Sequence, residues 1–278
     1  MFASVSAEVF TLRKRPALWL LGGVWLGLLM FFGYVLNWLS YRSAEDPAAG
    51  QRILADALPA NLVGNAVAGY ALFGGAMVMI LGALVAGSEY GWGTLKTVFI
   101  QRPGRWAVHL GRVGALALAL LAMVLVSFGL SAGASAIVAT AASEPLDWPS
   151  AADVMTGIAA GWLVLAMWCS FGLLLGTLAR APALAIGLGL VWALVLENLV
   201  RGFAALLEPL AALQRVLPGA NAGSLVAALG ARGGGGGQEG TPGVAAVVDG
   251  TQAAVVLAAY VIGFVLVAGL LLHHRDVT

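Results

Sequence analysis

Long uncharged apolar runs decide what this chain can become. Residues 62–87 hold no charged side chain, and comparable runs recur along the 278 residues. As a helix, a run of that length crosses a hydrocarbon core of roughly 30 Å. In lipid every backbone amide and carbonyl must find a partner inside the protein, and a helix supplies those partners within one segment. Composition agrees: 61% of the residues are hydrophobic and 10% are charged, whereas a soluble domain carries about a quarter charged residues. So few polar groups cannot cover a water-facing surface. The expected fold class is an all-α polytopic membrane protein, a single transmembrane domain over residues 1–278.

Six transmembrane helices are predicted, at about 17–39, 64–87, 106–133, 153–178, 183–199 and 251–272. Trp19, and Trp38 with Tyr41, mark the two ends of the first as aromatic belts do. Ahead of it, Phe2, Val5, Val9 and Leu12 recur at steps of three and four. That stripe predicts an N-terminal amphipathic surface helix over residues 2–15, ended by Pro16. The apolar run behind it is longer than a signal-peptide core, and no clear cleavage site follows. Residues 40–61 read as a polar connection. His109 and Arg112, at the start of the third span, are expected to snorkel to the headgroups. Arg180, Ala181 and Pro182 make a tight hairpin. The outer segment, 200–250, reads as short helices before the last span: one over 201–217, a break at Pro218, and one over 220–229. The glycine run 233–237 is expected to lack fixed structure.

The basic residues orient the spans. With six spans both termini share one side. Arg13, Lys14, Arg15, Lys96, Arg102, Arg105, Arg112, Arg180 and Arg275 fall there, nine of the 14 Lys and Arg. Ten of the 13 acidic residues fall on the other side. The termini are therefore expected to be cytoplasmic and the protein multi-pass in a bacterial cell membrane. Cys169 stands alone, which excludes an internal disulfide.

One polar island interrupts the apolar sequence. Residues 88–105 read SEYGWGTLKTVFIQRPGR and carry Glu89, Lys96, Arg102 and Arg105. Gly91 and Gly93 relax the helix leaving the bilayer. Residues 94–101 can form two helical turns with Leu95, Val98 and Phe99 on one face, and Pro103 with Gly104 ends them. From spacing alone this is either a docking helix or an inter-span loop held by Trp92 and Trp106.

The island resembles the cytoplasmic loop between the second and third spans of permease subunits in the type-2 ATP-binding-cassette (ABC) transporter family. The matching residues are Glu89, Gly93, Thr94, Leu95, Lys96, Pro103 and Arg105, in that order. Ala7, Glu8 and Leu12, then Arg13, Lys14 and Arg15, are similar to the family's beginning, and Leu217, Pro218, Gly219 and Ala220 to its segment before the last span. The resemblance implies that the island is a short cytoplasmic coupling helix. It also implies that Glu8, Arg13, Glu89, Gly93, Thr94, Leu95, Lys96, Pro103 and Arg105 dock a separate ATP-binding subunit. A second permease copy, as a homodimer or heterodimer, is implied as well. The chain lacks a GxxxxGK[ST] loop, so ATP and Mg would bind the partner and this chain would hold no cofactor. The polyglycine segment has no counterpart in the resemblance.

Glu197 lies late in the fifth span with Arg201 four residues on. One reading makes the two part of the translocation path or an outer gate. The other makes them an interfacial ion pair one turn apart, which a position near the span's end favours. His273 and His274 are adjacent on a helix and point about 100° apart, unlike metal ligands at i and i+4. No catalytic arrangement and no nucleic-acid-binding pattern is visible in the sequence. The function these features imply is a permease subunit of an ABC exporter for an amphipathic or hydrophobic substrate: a drug, a peptide or a lipid. The alternatives are a structural or regulatory subunit that docks an ATPase, or an ion-coupled secondary transporter. The last would need carboxylates near the midplane, and none is seen.

Overall fold

The structure, a computed structural model, describes residues 2–91, 104–204, 206–232 and 240–274. Among them the chain is all-helical, without a strand. In chain order we label α1 (Phe2–Lys14), α2 (Pro16–Ser43), α3 (Pro47–Ala57), α4 (Leu62–Val67), α5 (Phe73–Gly91) and α6 (Arg105–Ala142). There follow α7 (Ala151–Ala179), α8 (Pro182–Ala204), α9 (Glu208–Gln214), α10 (Pro218–Ala228) and α11 (Gly250–His274). Among the described residues five helices, α2, α6, α7, α8 and α11, are long and apolar enough to cross a membrane.

The remaining expected span, 64–87, is not straight. The stretch Pro59–Tyr70 meets Phe73–Ser88 at 47°. Glycines make room for the bend. The Trp25 indole lies against Gly69 and the Trp168 indole against Gly75, where any Cβ would collide, and Trp25 also leaves little room beside Gly74. Trp168 Nε1 also donates to the Ala71 carbonyl at 3.1 Å, so a backbone group exposed by the break is satisfied. Trp25 and Trp168 are each only 2% exposed.

Below the bend α5 runs along α7 with almost nothing between their backbones. A Cβ on Gly82 would land on the Cys169 carbonyl, one on Gly172 on the Met79 carbonyl, and one on Gly176 on the Ala83 carbonyl. Small residues permit such close approach in lipid, where dispersion rather than water drives helix association. Around this pair, α8 and α11 pack on α7, and α1 packs on α6. Helix α1 fits there because Gly111 and Gly114 leave space for Ser4 and Val5.

Several boundaries move. The polar connection contains a helix, α3, capped by Asp46, whose carboxylate accepts from the Ala48 amide at 2.9 Å, with Pro47 in the first turn. Helix α6 continues past residue 133 to Ala142 and ends at Ser143 in the left-handed conformation (φ 58°). The hairpin at Arg180 is present, with φ 55° closing α7 and Pro182 opening α8. Helix α8 runs on to Ala204 through a π turn at Val191–Leu196, so residues 201–217 are not one helix. Helix α10 is more enclosed than a short outer helix needs to be. Every residue from 218 to 226 is buried.

Candidate functional site

Of the expected docking residues that the structure describes, Glu8 and Arg13 lie on α1, Glu89 on α5 and Arg105 at the start of α6. Arg15, between α1 and α2, donates from Nη1 to Ser88 Oγ at 3.0 Å and to the Leu84 carbonyl at 3.4 Å. The helix preceding the first long span is thereby fastened to the stem of the island. Half-buried Glu8 lines a small cleft with Arg15 and Arg112. Arg13 is exposed, its carbonyl accepting from Trp19 Nε1 at 2.8 Å. Glu89 lies in the last turn of α5. Gly93, Thr94, Leu95, Lys96 and Pro103 lie outside the described residues.

Arg105 opens α6 and reaches across to the end of α11. Its Nη1 donates to the carbonyls of Leu272 at 3.3 Å and His273 at 2.8 Å. A cation at a helix C-terminus meets both the last free carbonyls and the negative end of the helix dipole. One turn on, the snorkelling expected of His109 and Arg112 does not occur. They are 2% and 3% exposed. Helix α1 covers this face of α6, and His109 Nε2 faces the Val265 carbonyl at 2.9 Å. Arg15 and Arg112 were not among the expected site residues. The signal for Arg15 was its place in the basic trio before Pro16. For Arg112 it was the glycine pair, Gly111 and Gly114, which marks a packed face rather than a lipid-facing one.

At the opposite end the arrangement centres on Glu197. Arg201, one turn from Glu197, acts on it through its charge while its Nη1 donates to Asn198 Oδ1 at 3.3 Å. Glu197 is 5% exposed. Its Oε1 accepts from Trp192 Nε1 and from the Gly219 amide, each at 3.0 Å. Gly219 is the second residue of α10, so the carboxylate sits at the positive end of that helix. A Cβ at residue 219 would strike the carboxylate, which explains glycine there. The π turn ahead of Glu197 sets the register that aims it inward, and π turns are common where a side chain has a task.

Helix α10 is held at two more points. Asn221 Nδ2 donates to the carbonyls of Arg215 and Leu217 at 2.9 and 2.8 Å. Ser224 Oγ accepts from the amides of Val247 and Val248 and lies 3.0 Å from the Ala245 carbonyl. Beyond α10, Arg232 pairs with Asp56 of α3, Nε to Oδ1 at 2.9 Å. Partial burial pushes the Asp56 carboxyl above its ordinary value, and the Arg232 charge pulls against that rise. These contacts join α8, α10, α3 and the segment before α11 into one cap.

The chain matches no protein-family model, and no curated protein matches it.

Proposed function

We propose that this chain is the membrane-spanning permease subunit of an ABC transporter. It would export an amphipathic or hydrophobic substrate in a bacterial cell membrane, driven by ATP and Mg on a separate ATP-binding subunit. In this reading the chain makes six spans, with the bent α4–α5 unit as the second, and pairs with a second permease. Both termini are cytoplasmic, and α1 lies at the membrane surface. The observation that carries the reading is the island sequence, with Glu89, the Gly93 to Lys96 run, Pro103 and Arg105. Support comes from the helices on either side of it. Arg15 ties α1 to the end of α5, and Arg105 ties the start of α6 to the end of α11. A push received by the island would therefore reach the surface helix and the last span as well as the two helices it joins.

The test is affinity purification of the tagged chain from its native membrane, with mass spectrometry and an ATPase assay. An ATP-binding subunit should co-purify with the wild type. Its yield or stimulated activity should fall in a Glu89→Ala, Leu95→Glu double variant, and less so in Arg15→Ala. Well-folded wild-type protein that brings down no ATPase would sink the proposal.

A further inference from the structure

A cleft opens at the end of the bundle that carries the Asp56–Arg232 pair. Three elements wall it: the turn into α4 with Asn61 and Val63, the start of α7 with Asp153 and Thr156, and the end of α10 with Leu229 and Gly230. Its volume is about 360 Å³, within the roughly 300–1,000 Å³ of small-molecule sites. Two glycines shape the wall. Gly230 takes φ 90°, where a side chain would be strained, and its carbonyl lies against Gly64, where a Cβ would collide.

What the cleft offers is acceptors. Asp153 Oδ2 accepts from Ser150 Oγ at 2.7 Å, while Oδ1 has no partner and the carboxylate pairs with no cation among the described residues. Thr156 Oγ1 spends its one hydrogen on the Ala152 carbonyl at 2.8 Å, so only lone pairs remain. Asn61 Nδ2 is held on the Ala55 carbonyl at 2.8 Å, and Oδ1 is without a partner among the described residues. The carbonyls of Leu229 and Gly230 accept nothing from the described residues, and they stand at the negative end of α10. The positive end of α7 does not offset this, since Ser150 Oγ already accepts from the Asp153 amide at 3.2 Å. Arg232, two residues beyond Gly230, is matched by Asp56 at 2.9 Å. No Lys, Arg or His occurs between Arg112 and Arg180, so neither α7 nor the connection into it brings a positive charge.

The complement of one unpaired carboxylate among acceptor oxygens is a cation that carries donors. A hard metal ion takes six to eight oxygens, several of them carboxylate, and no group of three metal-binding side chains occurs among the described residues. We infer that the cleft binds the ammonium head of an organic cation whose apolar body lies on Val63 and Leu229. Asp153 balances the charge, and Asn61, Thr156 and the α10 carbonyls take the N–H donors. Binding does not depend on the exporter reading. A role as a substrate site rests on that reading, and narrows it from amphipathic solutes at large to cationic ones.

The probe is dansylcadaverine, a fluorescent primary ammonium, titrated into the purified full chain in phosphatidylcholine nanodiscs and into empty nanodiscs. The comparator is N-pentyldansylamide, the same body without the ammonium. The expected result is a saturable rise in emission that requires the chain and is absent with the comparator. Asp153→Asn keeps the side-chain shape and should weaken apparent affinity about tenfold, the worth of one charge-assisted hydrogen bond. Thr156→Trp, at an exposed position, fills the cleft with the charge intact and should weaken it at least as much. Asp147→Asn removes an exposed acid of the same connection, outside the cleft, and should leave affinity unchanged. Should Thr156→Trp fail to fold, Asp153→Asn decides alone. No saturable signal, equal binding of the comparator, or an equal loss in Asp147→Asn overturns the site; the last two results mean membrane partition and diffuse surface charge. Saturable binding in a protein that recruits no ATPase would uphold the site and remove its role in export. An ATPase that co-purifies with a chain that binds no probe would do the reverse.

Discussion

The α5–α7 seam and helix α10 are both buried, and they are buried by opposite means. Between α5 and α7 the side chains are missing: Gly82, Gly172 and Gly176 set carbonyl against Cα, and the contact is dispersion over a close approach. Around α10 the side chains hold the helix: Glu197 at its first turn, then Asn221 and Ser224, all bonding to backbone groups. The first arrangement has no reserve, since backbone cannot step aside. The second is a set of separate bonds, each of which can be broken while the rest remain. The proposed permease function would use both kinds, a body that moves as a unit and a part that can be released.

The sharpest way to break this contrast is at Gly172. Gly172→Val places branched carbon on the Met79 carbonyl with no flexible neighbour to yield. We expect a loss of about 3 kcal/mol, the upper end of ordinary overpacking, seen as a collapse of the monodisperse size-exclusion peak. A mild effect there would mean that α5 and α7 slide.

Next in size is Glu197. Glu197→Leu strands the Gly219 amide and the Trp192 indole N–H, at about 2 kcal/mol for one charge-assisted bond and a lost partner. Glu197→Gln keeps an acceptor oxygen and should cost about half of that. Melting temperatures in detergent would rank the two. If Gln is as damaging as Leu, the charge at the helix end matters more than the bonds.

The smallest effect belongs to the Asp56–Arg232 pair, half-exposed on the Arg232 side. Neutralising it at neutral pH should cost under about 1 kcal/mol. Its pH dependence is more telling. Because burial raises the folded-state pKa of Asp56 above 3.8, the native state holds that proton longer than the unfolded chain. Stability from this group is then full below 3.8 and lost as pH rises through the raised value. Melting scans across the acid range should show wild type declining relative to Asp56→Asn. Arg232→Ala, which removes the opposing charge, should steepen the decline. A flat difference would show that the carboxyl is solvated.

Much of the contrast was open to sequence reading and part of it was closed. Five long helices follow directly from the uncharged runs. The hairpin at Arg180 follows from Ala181 and Pro182. The cap of α3 was present as Asp46 before Pro47, a helix start hidden inside a polar connection. The bend between α4 and α5 has no proline. It depends on two tryptophans, one of them 97 residues from the carbonyl it caps, so no local pattern announces it. Helix α10 is mostly Ala, Gly, Ser and Asn, a composition that reads much the same on a surface as in a core. Its burial is fixed by Glu197 and by Ser224, whose partners lie 22 to 24 residues away. For the same reason spacing pointed to Arg201, whose charge does act on Glu197, and could not point to Gly219, whose amide bonds it.

The reach of Arg105 to the Leu272 and His273 carbonyls also fixes an order of events at the ribosome. The guanidinium emerges with the start of α6, but its acceptors are made 167 and 168 residues later. At common elongation rates the wait is on the order of ten seconds or more. Until then the start of α6 lacks its anchor, and the end of the bundle that holds α1, α5 and α6 is incomplete. That end is finished only once the last turn of α11 has been made, so a chain stalled before residue 272 would insert most of its helices and still lack this clasp.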